Sequence, residues 1–328
     1  MTRREFLIAA AAVSGARMQA PLSVNSVTGP VAADALGITL AHEHVLVDFI
    51  GADRVSASRY DRDAAFAKAL PHLERIARLG CRTLVECTPA YIGRDPVLLQ
   101  RLSRASSLQV LTNTGYYGAA NDKFLPPHAF TESADQLAAR WIREARDGID
   151  GTGIKPAFMK IGVDSGPLSA VDEKLVRAAA RTHRLTGLPI YSHTGNGIAA
   201  LAQVAVLDDE RVPLGAFVWV HAQNETDTAV HVQVGRRGAW VSFDGVGTQS
   251  LERHLGYVLA MRDARLLERV LVSHDAGWYH VGEPDGGTYR PHDLIFTEFL
   301  PALRARGLTQ REITQVMIEN PRKALTPK

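Results

Sequence analysis

Cysteine is scarce: the 328 residues hold only Cys81 and Cys87. That excludes a small domain stapled by disulfides. The pair flanks the apolar run Thr83-Leu84-Val85, and on a strand six steps of about 3.3 Å would set the two thiols about 20 Å apart. A disulfide needs Cα atoms within about 7 Å, so both are expected as free, buried thiols. Long apolar runs are also missing. The stretch Ile8–Ala16 is the best candidate, and it falls short of the roughly 20 residues that cross a bilayer, so no stable membrane span is expected. No run of like charges, no low-complexity tract and no internal repeat is present, and no Pro/Ser linker follows residue 25. No G-x-G-x-x-G follows an early strand, which removes support for a dinucleotide-binding sheet. With 46% hydrophobic and 22% charged residues, the chain has ordinary globular composition.

The formal charge is +2 and the isoelectric point about 8.6, and both trace to the first twenty residues. MTRREFLIAAAAVSGARMQA has paired arginines, Phe6-Leu7 and a run of small apolar residues, in the order of a twin-arginine export signal. Removing it takes away Arg3, Arg4, Arg17 and Glu5 and leaves 34 basic and 34 acidic residues. A neutral chain gives no electrostatic argument for a nucleic-acid partner. The expected organisation is a leader over 1–20 and a single domain over 21–328, placed in the periplasm or secreted by the twin-arginine route.

Beyond the leader, short β-rich runs alternate with helix-period segments. The expected strands are Ile38–His44, Thr83–Thr88, Gln109–Asn113, Phe158–Val163, Pro189–His193, Phe217–His221, Trp240–Asp244 and Arg269–His274. Between them, Phe66, Leu70, Leu73 and Ile76 recur at helical spacing within 61–79, and Asp172–Thr186, Thr226–Arg236 and Leu251–Arg262 behave alike. Eight strands separated by helices predict an α/β fold, a (β/α)8 TIM barrel, with a β-hairpin over residues 22–37. An open doubly wound sheet is the alternative. Residues 276–292 form a long Gly/aromatic loop of the kind that carries function.

The polar residues gather at strand ends, the face where such barrels hold their chemistry. They are His42 and His44, Lys160, His193, His221 and His274-Asp275. Residues two apart on a strand share a face, so His42 and His44 project together, at a cost unless they bind something. One strand-end histidine is ordinarily a hydrogen-bonded structural residue. Four of them with an aspartate form a donor set suited to zinc, cobalt, manganese or iron. His274 neighbours Asp275, points the other way and reads as packing.

These motifs carry a resemblance to a known family. VNSVTGPVAADALGITLAHEH, GRD (Gly93–Asp95), NTGYY (Asn113–Tyr117), MKIGVD, SHTG, HAQNETD, SFDGVG, SHDAGW and ENPRKAL follow in order over residues 24–326. The sequence resembles the phosphotriesterase family of the amidohydrolase superfamily. The resemblance implies a binuclear metal centre: His42, His44 and Asp275 on the more buried ion, His193 and His221 on the more exposed one. It implies Lys160 as a CO2-derived carbamate bridging both, zinc as the expected metal with manganese, cobalt or iron compatible, and a bridging hydroxide as nucleophile. Lys160 and Asp275 would then be the catalytic residues, with Asp275 taking the proton.

Tyr117 matches a position where the family's lactonase branch tends to carry Tyr and its phosphotriester-hydrolysing branch Trp. Trp278, Tyr279 and His280, in an unusual loop after the last strand, join Tyr117 as expected substrate-binding residues, and Arg290 or His280 could meet an anionic group. Two departures stand out: Gly245 replaces a basic residue, and AQNETD replaces an Asp-rich segment, so no proton relay past Asp275 is assigned. The expected function is hydrolysis of a small carboxylic ester or lactone. A true phosphotriesterase is the first alternative and a non-catalytic binding protein on the same barrel the second. A homodimer is compatible with the sequence.

Overall fold

A computed structural model describes residues 22–327; the leader read over residues 1–20 lies outside them. The chain opens with an antiparallel hairpin, β1 (Ser23–Ser26) and β2 (Gly29–Ala32). Then come β3 (Thr39–Glu43), β4 (Leu46–Val47), β5 (Thr83–Glu86), β6 (Gln109–Leu111), β7 (Asn113–Thr114), β8 (Phe158–Val163), β9 (Ile190–Thr194), β10 (Phe217–Val220), β11 (Trp240–Phe243), β12 (Val270–Val272) and β13 (Tyr279–His280).

The strands β3-β5-β6 and β7-β8-β9-β10-β11-β12 form two parallel sheets. β6 and β7 flank Thr112 and act as one bent strand, so the two sheets continue one wall. The ends of that wall meet without a ladder. The His42 amide donates to Ser273 Oγ at 3.0 Å, and the Asp275 amide donates to the His42 carbonyl at 3.2 Å. The fold is α/β with a parallel barrel wall, as expected.

Helices cover the outside: α1 (Arg62–Arg78), α2 (Pro96–Ser106), α3 (Pro127–Thr131), α4 (Ala134–Asp147), α5 (Ala170–Thr186), α6 (Gly197–Asp209), α7 (Thr228–Arg236) and α8 (Leu251–Asp263), with further helical turns over 295–305 and 310–325. Local chemistry sets their ends. Asp61 caps α1 by accepting the amides of Asp63 and Ala64, and Ser133 and Gln136 close a capping box on α4. The α1 stripe is sound at Leu73 and Ile76, which are fully buried, while Phe66 and Leu70 are half-buried against the same core. None of the described helices is long and apolar enough to cross a membrane.

The barrel interior is a plug of side chains from the strands: Ala41, Val85, Leu111, Phe158, Tyr191, Val218, Trp240 and Leu271 pack into one buried cluster, joined by Val24 and Leu36 from the hairpin end. This end is filled with apolar groups, so the polar residues are confined to the other. Both cysteines are buried and free.

The last barrel strand ends at Val272, two residues before the expected His274. Side chains claim the next amides. His274 and Ala276 both donate their backbone N–H to the Glu43 carboxylate, at 2.9 and 3.0 Å. Beyond it, β13 lies parallel to β4 and ties the long loop to the start of the chain.

Candidate metal centre

Five of the six candidate ligands arrive at or beyond the carboxyl ends of their strands, whereas Lys160, expected at a strand end, sits in the middle of β8 (Phe158–Val163). His42 is on β3 and His44 one residue past it, Lys160 is on β8 and His193 on β9. His221 and Asp275 sit just beyond β10 and β12 in left-handed backbone, at φ of 61° and 54°. Such conformations cost non-glycine residues energy and turn the side chain out of strand register. All six line one cavity of about 100 Å³, together with Cys87, Tyr117 and an apolar wall of Val47, Phe49, Ile92 and Trp278.

Three donors converge closely. His42 Nε2 is 3.2 Å from His44 Nε2, His44 Nε2 is 3.0 Å from Asp275 Oδ1, and His42 Nε2 is 3.7 Å from the same oxygen. Two ligands bound to one ion at about 2.0–2.1 Å in tetrahedral geometry stand roughly 3.4 Å apart. The spacing therefore fits a shared metal. The rings of His193 and His221 approach to 4.5 Å between centroids, and those of His42 and His221 to 4.9 Å. The donor chemistry also fits. Burial pushes the His42 imidazolium down to about 4, helped by the Lys160 charge, and burial lowers His44 and His193 as well, so these rings are neutral ligands at pH 7.

Lys160 is 2% exposed, and its Nζ lies 5.9 Å from the Tyr117 ring centre with no hydrogen-bonding or ion-pair partner among the described residues. Burial lowers its pKa, which favours the free amine. An unpaired ammonium here would be costly; an amine able to become an anionic two-oxygen ligand suits the place.

A buried carboxylate that the sequence reading passed over fixes the histidines. Asp244, at the end of β11 and 0% exposed, accepts from His221 Nδ1–H at 2.7 Å and from His42 Nδ1–H at 3.2 Å. It also takes the His221 amide and Gln223 Nε2–H. Burial alone would raise this carboxyl, but His221 and His42 hold it well below its usual range. His42, His221 and Asp244 could themselves be taken for a metal triad. The bonds argue otherwise: Asp244 uses the outer nitrogens, which leaves both Nε2 lone pairs facing the cavity. His44 is set the same way by Thr88, its Nδ1–H reaching Thr88 Oγ1 at 2.7 Å. The sequence signal for Asp244 was its place at a strand end inside SFDGVG, beside a glycine that drew attention instead.

That glycine now has a reason. A Cβ on Gly245 would lie 2.7 Å from Gln223 Nε2. Gln223 belongs to AQNETD and grips Asp244 at both ends, accepting the Asp244 amide at 3.1 Å and donating to Oδ1 at 3.1 Å. The two departures from the family pattern are thus one arrangement.

Glu43, the middle of His-Glu-His, faces away from the cavity and anchors the last strand end. It accepts Ser273 Oγ–H at 2.7 Å, His274 Nδ1–H at 2.6 Å and His292 Nδ1–H at 3.1 Å. The Ile295 amide donates to His274 Nε2 at 2.9 Å, so His274 is occupied away from the cavity. Gly277 has φ of 95°, and a Cβ there would collide with the His44 carbonyl. Gly115, at φ 117°, likewise leaves room for the Lys160 carbonyl. The glycines of SHDAGW and NTGYY let backbone approach the ligand strands closely.

Of the expected substrate residues, Tyr117 and Trp278 line the cavity. His280 lies at its edge, 5.6 Å from the Trp278 ring and 6.0 Å from Phe49, measured between centroids. Tyr279 is placed elsewhere: β13 turns alternate side chains apart, and Tyr279 is buried in the outer core, with Gly286 against its ring.

Fold and ligand geometry together describe a metallohydrolase barrel. Residues 22–325 match the Phosphotriesterase family, and the chain belongs to it. It is 32% identical over 292 residues to a phosphotriesterase homology protein of Escherichia coli, covering 88% of this chain and 97% of that one. It is 26% identical over 304 residues to an aryldialkylphosphatase of Saccharolobus solfataricus, covering 88% and 94%. A solved structure described as organophosphate hydrolysis engineered from a weak promiscuous lactonase template superposes with TM-score 0.83 at 28% identity, covering 93% of this chain and 100% of that one. Enzymes of this family are hydrolases that depend on two metal ions.

Proposed function

We propose that the chain hydrolyses a carboxylic ester or lactone, with phosphotriester hydrolysis as a weaker activity. The observation that carries the hydrolase reading is the convergence of His42, His44 and Asp275 beside an unpaired, buried Lys160. Two divalent ions, zinc first, would supply an activated water and a Lewis acid for the oxygen under attack. His42, His44 and Asp275 would hold one, His193 and His221 the other. Lys160 would bridge them after its free amine adds to CO2, forming a nitrogen–carbon bond and releasing one proton. Asp275 keeps its carboxylate ionised: burial raises it, but His44 beside it and the other histidines around it lower it further. With one oxygen on His44, it can take the proton that the attacking water loses.

Tyr117 supports the ester reading over the phosphotriester one. Its hydroxyl is 3.0 Å from His193 Nδ1, and burial pushes the phenol far up, so it remains a neutral donor at the cavity wall. The lactonase template among the similar structures points the same way. The twin-arginine pattern read over residues 1–20 supports export of the folded chain, with this chemistry then outside the cytoplasm. The test is a panel of a γ-lactone, an aryl acetate and paraoxon on the zinc- or manganese-loaded protein. Lactone or ester turnover exceeding paraoxon turnover supports the proposal; activity on paraoxon alone overturns it.

A further inference from the structure

Beside the cavity, stacked on its lining residue Trp278, stands a solvent-exposed cation that the metal centre does not use. Arg290 comes from the long loop after β12, and antiparallel backbone bonds with Gly277 fix its place: the Gly277 amide donates to the Arg290 carbonyl at 3.0 Å and the Arg290 amide to the Gly277 carbonyl at 2.8 Å. Its guanidinium lies over the Trp278 ring with Cζ 4.4 Å from the centroid. Nη2 donates to the backbone carbonyl of Asp275, a candidate metal ligand. Among the described residues no carboxylate pairs with it, although the chain pairs its arginines freely elsewhere, as Arg94 with Glu144 and Arg140 with Glu132. Glu283, an acid of the same loop, sits 3.7 Å from His280 Nδ1. Trp278 itself lines the cavity, and its buried Nε1–H has no acceptor.

We infer that Arg290 is a specificity-determining residue that binds a carboxylate on the substrate, away from the scissile bond. The inference rests on the ester or lactone reading above and narrows it to carboxylate-bearing substrates. A guanidinium has five N–H donors in a planar fork. One donor on the Asp275 carbonyl and one face on Trp278 leave a two-pronged edge open, which matches a planar two-oxygen anion. Stacking on the indole and the carbonyl anchor fix its orientation in advance, so little side-chain freedom is lost on binding. A single cation, with no second one stacked or bonded beside it among the described residues, matches a singly charged group better than a phosphate dianion. The apolar side chains of Phe49, Ile92 and Val47 would enclose the carbon frame between that carboxylate and the reacting centre.

The experiment compares two aryl esters with the same leaving group, a monoester of glutarate and the matching neutral butyrate, on the metal-loaded full chain. For Arg290→Gln, KM for the glutarate ester should rise about tenfold or more, the order expected when one charge-assisted contact is lost, and by a clearly larger factor than KM for the butyrate. Arg290→Lys should recover part of the loss. Equal effects on both esters, or none on either, overturn the inference. A glutarate ester turned over less efficiently than the butyrate by the wild type overturns it too. A second readout does not need turnover: calorimetric titration with phenylacetate, phenylacetamide and phenyl phosphate. Binding of phenylacetate, weaker binding of the other two, and loss of the preference in Arg290→Gln support the carboxylate site even if no ester is hydrolysed, in which case only the ester reading fails. Preference for phenyl phosphate, or no preference, overturns the carboxylate assignment.

Discussion

Asp244→Asn changes one atom and separates the two metal positions. The carboxylate receives three donors at Oδ1, from His221 Nδ1, the His221 amide and Gln223 Nε2. Oδ2 receives His42 Nδ1–H and shares the His221 amide. An asparagine would keep its oxygen where the donors crowd and turn its NH2 toward His42. That NH2 cannot accept, so His42 must present a bare Nδ1 and carry its proton on Nε2, the atom that faces the ion. His221 keeps its tautomer. Losing such an orienting partner weakens a metal site about 10–100-fold, or about 1.4–2.7 kcal/mol. The assay is a zinc titration of the metal-free chain against a competing chromophoric chelator. One zinc should bind with wild-type affinity and the other within the weakened range. Two unaltered affinities would refute the claim that Asp244 sets the tautomers. Equal weakening at both would refute the amide orientation. If Asp244 were itself a metal ligand, a third outcome would appear: the His221 site would fail together with His42.

Lys160 as a carbamate predicts an enriched carbonyl signal when the zinc-loaded protein is equilibrated with 13C-bicarbonate, and none from Lys160→Ala; a labelled signal in both would place the CO2 elsewhere. Gly115→Ala should destabilise by about 1–3 kcal/mol, the cost of a strained backbone position, and should lower zinc affinity through the displaced Lys160 strand, both read by urea unfolding with and without metal. Burial pushes the Glu86 carboxyl up to about 8, so the native state keeps a proton that the unfolded state has lost. Its contribution is full below about pH 4.5 and is lost as pH rises through 8, up to about 5 kcal/mol in all. Urea midpoints should therefore fall between pH 6 and 9 in the wild type and less so in Glu86→Gln; parallel curves would show that Glu86 is ionised at neutral pH.

The barrel was legible because each strand is short, apolar and closed by a polar residue, a pattern that local periodicity captures. Strand ends were less so. Arg269–His274 reads as continuous strand, yet pairing stops at Val272 because Glu43, more than two hundred residues away, takes the His274 amide. No local signal encodes that competition. The short pair β4 and β13 escaped for the same reason: its two halves lie far apart in sequence and neither is a strand alone.

The site divides along the same line. His42, His44, Lys160, His193, His221 and Asp275 were visible because a metal needs recognisable donor types at strand ends. Asp244, Thr88, Glu43 and Gln223 were not, because a residue that orients a ligand is defined by which atom it touches. Asp244 is the clearest case: a carboxylate at a strand end satisfies the same sequence criterion as Asp275, and only geometry shows that one meets Nε2 atoms and the other Nδ1 atoms. Tyr279 shows the converse. Beside Trp278 in sequence it looks equally placed, but alternation along β13 sends it into the outer core. Sequence therefore reports which donors are available, and the outer nitrogens of the histidines decide which of them can reach an ion. Gly245 and Gln223 make the point physically: separately they look like two lost family residues, whereas together they are a small residue making room for the amide that holds Asp244. A Gly245 variant with a larger side chain must displace Gln223 and, through it, perturb Asp244, the carboxylate that orients both His42 and His221.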